Sequence, residues 1–199
     1  LDPPQRFCRH SNMPDQPVIG SRISAFIFDL DGTLVETERL KALSYANVVG
    51  DLTGARTPDH RAVELYERIV GSTDEMVCRQ MIEEFGISDA LEEVDGEIWK
   101  HLHQIRMDEY RDNDGAPERL EANVYQHNVD LLRNQKSIGR TVSVATSSFS
   151  DEAKRVLDAL GIRVLLDDVV GRDSVKNPKP DPEIYLLAMS RLGVSPEEV

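Results

Sequence analysis

The chain has 199 residues, 40% of them hydrophobic and 30% charged, the balance of an ordinary soluble globular protein of one domain or a core with a modest insertion. Its formal net charge of −13 argues against nucleic acid or an anionic membrane surface as the main partner. No apolar run approaches the ~20 residues a membrane span needs, and the two cysteines, Cys8 and Cys78, imply no disulfide framework and fit a reducing, cytoplasmic setting.

Residues 1–22 carry Pro3, Pro4, Pro14 and Pro17 and no apolar period, so they read as an irregular N-terminal extension. They lack the long apolar core of a signal peptide, and Met13 is a candidate natural start. From Ile23 an almost wholly apolar, β-prone run predicts a strand buried on both faces. Asp29 and Asp31 stand at its end, where strand alternation would turn both carboxylates into one small volume. Gly32 allows a tight exit that keeps backbone groups close to whatever the acids bind. Such a pair suits a hard cation, and one member can also attack an electrophile. Taken alone, a D-x-D pair reads first as a polar strand end or turn.

The pattern then changes to helix. Leu40, Leu43, Ala46 and Val48-Val49 recur at helical spacing, with Gly50 marking the expected end. Val63, Tyr66, Ile69 and Val70 form a second apolar face. Thr73-Asp74-Glu75 reads as a cap and first turn leading into Val77, Met81, Ile82 and Phe85, and Gly86 is placed as a terminator. A fourth helix is expected to carry Leu91, Val94, Ile98, Leu102, Ile105 and Tyr110. Residues 37–111 therefore form a helical block with no strand expected.

Asp112 to Pro117 is a turn-rich break. A helix through Val129, Leu131 and Leu132 follows, then a β-rich run from Thr141 that ends in the hydroxyls Thr146, Ser147 and Ser148. Asp151 to Leu160 is helical and stops at Gly161; Val164 to Val170 reads as a third strand. Asn177 to Pro182 is a rigid loop before a helix from Glu183 to Leu192. This order predicts an α/β fold, a parallel sheet with covered faces interrupted after its first strand by the helical block.

Three stretches carry chemistry together. The run Phe26-Ile27-Phe28-Asp29-Leu30-Asp31-Gly32-Thr33 resembles the nucleophile motif of the haloacid dehalogenase superfamily, most of whose members are phosphatases and phosphomutases. Val142 to Ser148 resembles its second motif, where a hydroxyl holds phosphate oxygens; by itself Ser147-Ser148 also reads as a helix cap. Lys179-Pro180-Asp181-Pro182-Glu183-Ile184-Tyr185 resembles the third, with Glu183 where Asp is usual. Its lysine is stiffened between Pro178 and Pro180, although alone it would be an exposed loop lysine.

The resemblance covers residues 23–199 and implies a Rossmann-like core, residues 23–36 and 112–199, with an inserted α-helical cap, residues 37–111. It implies that Asp29 attacks phosphorus and Asp31 serves as general acid and base, that Asp29 and the main-chain carbonyl of Asp31 hold Mg²⁺, and that Thr33, Thr146, Ser147 and Lys179 meet the phosphate. The expected activity is Mg²⁺-dependent hydrolysis of a small phosphorylated metabolite, such as a sugar phosphate. Two departures bear on substrate. Lys41 stands where the β-phosphoglucomutase branch has histidine, and Asp74 stands where it has a phosphate-gripping arginine, so hydrolysis is favoured over mutase activity. Lys41 is either a contact to an anionic group of the substrate or a solvated helix lysine. A dehalogenase is disfavoured by Asp31, and a catalytically silent phosphate-binding domain is the alternative outside catalysis. A fourth acidic motif would normally follow a segment like Leu192 to Val199. The expectation is therefore a piece of a longer chain, its core lacking C-terminal parts, weak in Mg²⁺ binding and turnover, and prone to associate through a bared strand edge.

Overall fold

The apolar run after Arg22 becomes a strand because its β-branched and aromatic residues find apolar cover on both faces. The computed structural model describes residues 22–55 and 57–199. All of the N-terminal extension except Arg22, with Met13 and Cys8, lies outside the described residues, as does Arg56. The strands β1 (Ala25–Phe28), β2 (Thr141–Ala145) and β3 (Asp168–Val170) run parallel in the order β1-β2-β3. Phe28 lies opposite Val144 and Ala145 opposite Val170. That register brings the three carboxyl ends level, so Asp29, Thr146 and Gly171 all emerge at one end of the sheet.

Between β1 and β2 the chain forms α1 (Thr37–Leu52), α2 (His60–Ile69), α3 (Asp74–Phe85) and α4 (Ile98–Glu109). A π-helical turn, Tyr110–Asp114, continues α4. These helices pack around their own apolar cluster, which includes Tyr45, Val49, Leu65, Met81 and Leu102. The core helices are α5 (Pro117–Ala122), α6 (Gln126–Ser137), α7 (Ser150–Ala159) and α8 (Glu183–Leu192). A second cluster joins Leu34, Leu132, Val142, Val144 and Leu157 under the sheet. Full burial of one such side chain stabilises by about 1.5–3 kcal/mol. Leu40 of α1 and Tyr110 belong to this sheet cluster, so both ends of the helical block are anchored in the core. No described helix is long and apolar enough to cross a membrane.

The expected caps hold at Thr73, whose hydroxyl accepts from the Met76 N–H, and at Gly86, which closes α3 with φ +61°. Other expectations need correction. Gly50 does not end α1, which runs on to Leu52. A Cβ there would strike the Thr57 carbonyl, so the glycine lets the following loop pack close against the helix. The fourth helix starts only at Ile98, because Asp95 and Gly96 take positive φ and turn the chain. Leu91 and Val94 thus precede the helix and Tyr110 follows it. The third strand is confined to Asp168–Val170, and Val164 sits, 87% exposed, in a 3₁₀ turn before it. Helix α5 was not expected; Pro117 at its first position was the available signal.

Candidate active site

Strand β1 ends at Phe28, so alternation does not set the acid pair as expected. Instead the backbone turns through Gly32, at φ +72°, and Asp31 bridges to Val35, which bridges in turn to Val124. The two carboxylates then meet different donors.

Asp29 is half-exposed at the strand end. Its Oδ1 accepts the Leu30 N–H at 2.8 Å and lies 3.0 Å from the Lys179 ammonium. Lys179 also donates to the Ala145 carbonyl at 2.9 Å, and its Nζ rests 4.9 Å from the Tyr185 ring centroid. The nucleophile candidate and the third-motif lysine are therefore joined across β1 and β2.

Asp31 is saturated. Its Oδ1 accepts from the Thr37 hydroxyl and from Lys41 at 2.9 Å, and its Oδ2 accepts from Thr146 at 3.0 Å and Ser148 at 2.8 Å. Burial pushes this carboxyl up, but the Lys41 charge and the Thr37, Lys41 and Ser148 hydrogen bonds outweigh it and bring the pKa down to about 2. Lys41 is held in the same way. Burial lowers it, while Asp31 and then Glu38 raise it well above the ordinary lysine value. Glu38 accepts from Lys41 at 3.0 Å and from the Tyr66 hydroxyl at 2.7 Å.

Thr146 is fully buried, and its Oγ1 also accepts the Ser148 N–H at 3.1 Å. Ser147 is exposed and its hydroxyl makes no hydrogen bond among the described residues; Ser148 is the neighbour that turns inward. Thr33 is half-buried, and its carbonyl accepts from Asn128 at 2.7 Å. One cluster thus holds Asp31, Lys41 and Thr146, and Asp29 and Lys179 adjoin it through Ala145. Sequence reasoning missed Thr37, Glu38, Tyr66 and Ser148. Glu38 was legible as the i, i+3 partner of Lys41. Tyr66, 28 positions from Glu38, left no local signal.

The acids of the third strand serve elsewhere. Asp173 accepts the N–H and hydroxyl of Ser150, both at 2.7 Å; Asp167 pairs with Lys136 at 2.7 Å; Asp168 faces Arg191 at 3.5 Å. No group of three or more His, Cys, Asp or Glu among the described residues could cage a metal ion. Magnesium does not need one, since it keeps water and binds through one or two carboxylates plus substrate oxygens. The Asp29 carboxylate and the Asp31 main-chain oxygen, which accepts no hydrogen bond among the described residues, are hard donors of that kind.

A parallel α/β sheet with an acid pair, a lysine and buried hydroxyls at the carboxyl ends of its strands, and a helical insertion after the first strand, sets these groups where open α/β sheets bind ligands. The chain belongs to the haloacid dehalogenase-like hydrolases, whose family model matches residues 23–199. It is 33% identical over 177 residues to a phosphorylated carbohydrates phosphatase of Thermotoga maritima, covering 89% of this chain and 74% of that one. It is 29% identical over 182 residues to the pyrophosphatase PpaX of Bacillus velezensis, covering 89% and 72%. The crystal structure of a β-phosphoglucomutase from Clostridium difficile shares the fold, with a TM-score of 0.63 at 23% identity over 88% of this chain and 74% of that one.

Proposed function

We propose that the protein is a Mg²⁺-dependent phosphatase acting on a small phosphorylated carbohydrate through an aspartyl-phosphate. The observation that carries this reading is the Asp29–Lys179 contact of 3.0 Å beside the donor-saturated Asp31. Likeness to the carbohydrate phosphatase supports the substrate class. Pyrophosphate is the second reading, supported by likeness to the pyrophosphatase.

In this mechanism an Asp29 oxygen forms a bond to phosphorus as the ester P–O bond breaks, and the leaving oxygen takes a proton from Asp31. A water oxygen then attacks phosphorus and gives its proton to Asp31, and the Asp29–phosphorus bond breaks to release phosphate. Asp31 as it stands is an anion held by four donors. Its service as an acid requires substrate oxygens to draw Lys41 and the hydroxyls away from it, and a proton taken up from solvent or from the monoanionic ester before the P–O bond breaks. Lys179 offsets charge on the nucleophile, and Thr146 and Ser148 turn to the transferring oxygens. Asp29 and the Asp31 carbonyl would hold Mg²⁺, which would supply charge neutralisation between the anionic enzyme and the anionic ester. Residues 37–111 act as the cap that excludes water and selects the substrate.

The test is a screen of phosphorylated metabolites and pyrophosphate with and without Mg²⁺, followed by acid-quench trapping of phosphorylated protein. Mg²⁺-dependent release of phosphate from sugar phosphates, with label on Asp29, is the expected result. Hydrolysis without label on Asp29 overturns the covalent route.

A further inference from the structure

Four buried side-chain polar atoms find no hydrogen-bond partner among the described residues: His103 Nδ1, Arg106 Nε, Tyr110 Oη and Ser143 Oγ. Ser143 sits apart on β2. The other three fall at i, i+3 and i+7, the spacing of one stripe along α4 and the π turn that continues it. That stripe faces α1, for the Arg106 guanidinium lies 5.0 Å from the centroid of the Tyr45 ring, and Tyr110 shares the apolar cluster of Leu40. Lys41 and Tyr45 are one turn apart on α1, about 6 Å along its axis. The seam between α1 and α4 thus starts beside Asp31 and ends at the first turn of α3, where Asp74 stands 3.8 Å from Arg106.

The stripe is held in place rather than left over from loose packing. Gly115 lets the chain close on the Tyr110 ring, since a Cβ there would come within 2.6 Å of it. Arg155 stacks 5.6 Å from the centroid of that ring and donates to the Gly115 carbonyl at 2.8 Å. Orphaned polar groups destabilise a protein, and three of the four fall in one line, which singles out the seam as the place for a polar ligand.

We propose that His103, Arg106 and Tyr110 read the hydroxyl-bearing body of a polyol or sugar monophosphate whose phosphate sits at Asp29. The inference rests on the phosphatase reading of that site and deepens it. Hydroxyls both donate and accept, and the seam offers both: guanidinium N–H and phenol O–H as donors, the imidazole nitrogen and the half-exposed Asp74 carboxylate as acceptors. Burial lowers the His103 pKa, which keeps the imidazole neutral and able to accept. Asp74 balances the charge of Arg106 and repels a second phosphate, so a monophosphate fits better than a bisphosphate.

The experiment compares the wild-type protein with Tyr110→Phe and Arg106→Met. It measures kcat/KM on sugar and polyol monophosphates and on an aryl phosphate, the Tm of the empty protein, and the Tm rise caused by sorbitol 6-phosphate. The ratio of polyol to aryl kcat/KM is expected to fall about tenfold or more in each variant, chiefly through KM. Empty Tyr110→Phe should melt at or above the wild-type temperature, because an orphaned hydroxyl is gone, while the ligand-induced rise shrinks in both variants. An unchanged ratio, or a Tm of empty Tyr110→Phe lower by more than about 5 °C, overturns the proposal. Absence of turnover on every ester overturns the phosphatase reading; the ligand-induced Tm rise then judges the seam separately, and an equal rise in wild type and variants overturns it.

Discussion

Lys41, one turn into the first helix of the insertion, sets its ammonium 2.9 Å from the Asp31 carboxylate at the end of the sheet. The pair ties the insertion to the core at the point where chemistry is proposed. Both partners are largely shielded from water, with side chains 18% and 13% exposed. Removing one partner of such a pair leaves an uncompensated charge and costs about 3–5 kcal/mol, where an exposed pair is worth about 0–1.

Lys41→Ala is therefore expected to lower stability by a few kcal/mol and to change substrate ranking. Losses on the preferred sugar phosphate should exceed those on an aryl phosphate if, as proposed, Lys41 leaves Asp31 to meet an anionic group of the substrate. Steady-state kinetics on both substrates, with denaturant melts alongside, check this. Equal losses on the two would make Lys41 a structural or general catalytic residue.

The nucleophile assignment separates two otherwise similar acids. Asp29→Asn should reduce turnover by more than ~10³-fold and remove the acid-stable label. Asp31→Asn should instead slow departure of the leaving group and release of phosphate, by ~10²–10⁴-fold. Burst kinetics on an aryl phosphate distinguish the two, and near wild-type turnover in Asp29→Asn would refute the map.

Acid stability follows from Asp31. Its folded pKa of about 2 lies below the ordinary 3.8, so the fold favours the ionised form. The contribution, about 2 kcal/mol, is present above about pH 4 and is lost as pH falls through about 2. Between pH 4 and pH 2 the wild type should therefore lose more Tm than Asp31→Asn does. Parallel Tm curves for the two proteins would show that Asp31 is not held ionised by the fold.

Gly50→Ala tests the loop packing. A Cβ at Gly50 runs into the Thr57 carbonyl, so the loop after α1 has to move. Overpacking of this kind costs about 1–3 kcal/mol, more than the gain in helix propensity from alanine. A Tm equal to or above wild type would mean that the loop gives way freely.

The helix boundaries at Thr73 and Gly86 were legible because caps are local: a hydroxyl reaches an N–H three residues on, and glycine alone takes positive φ cheaply. The Gly50 reading failed for the complementary reason. A glycine that ends a helix and one that admits a neighbouring loop look alike until Thr57 is placed.

The sequence by itself determined the parallel α/β order, the position of the helical insertion and the motif residues Asp29, Asp31, Thr146 and Lys179, because each depends on side-chain period or on contiguous residues. The tertiary structure alone decided how these groups are used. It selected Ser148 over Ser147 as the hydroxyl facing Asp31, bound Lys41 between Asp31 and Glu38, and brought Tyr66 to Glu38 across 28 positions. It also aligned the orphaned groups of His103, Arg106 and Tyr110 in the seam against α1. Hydrogen bonds and ion pairs act over a few ångströms, so which donor reaches which acid is fixed only when strands and helices pack.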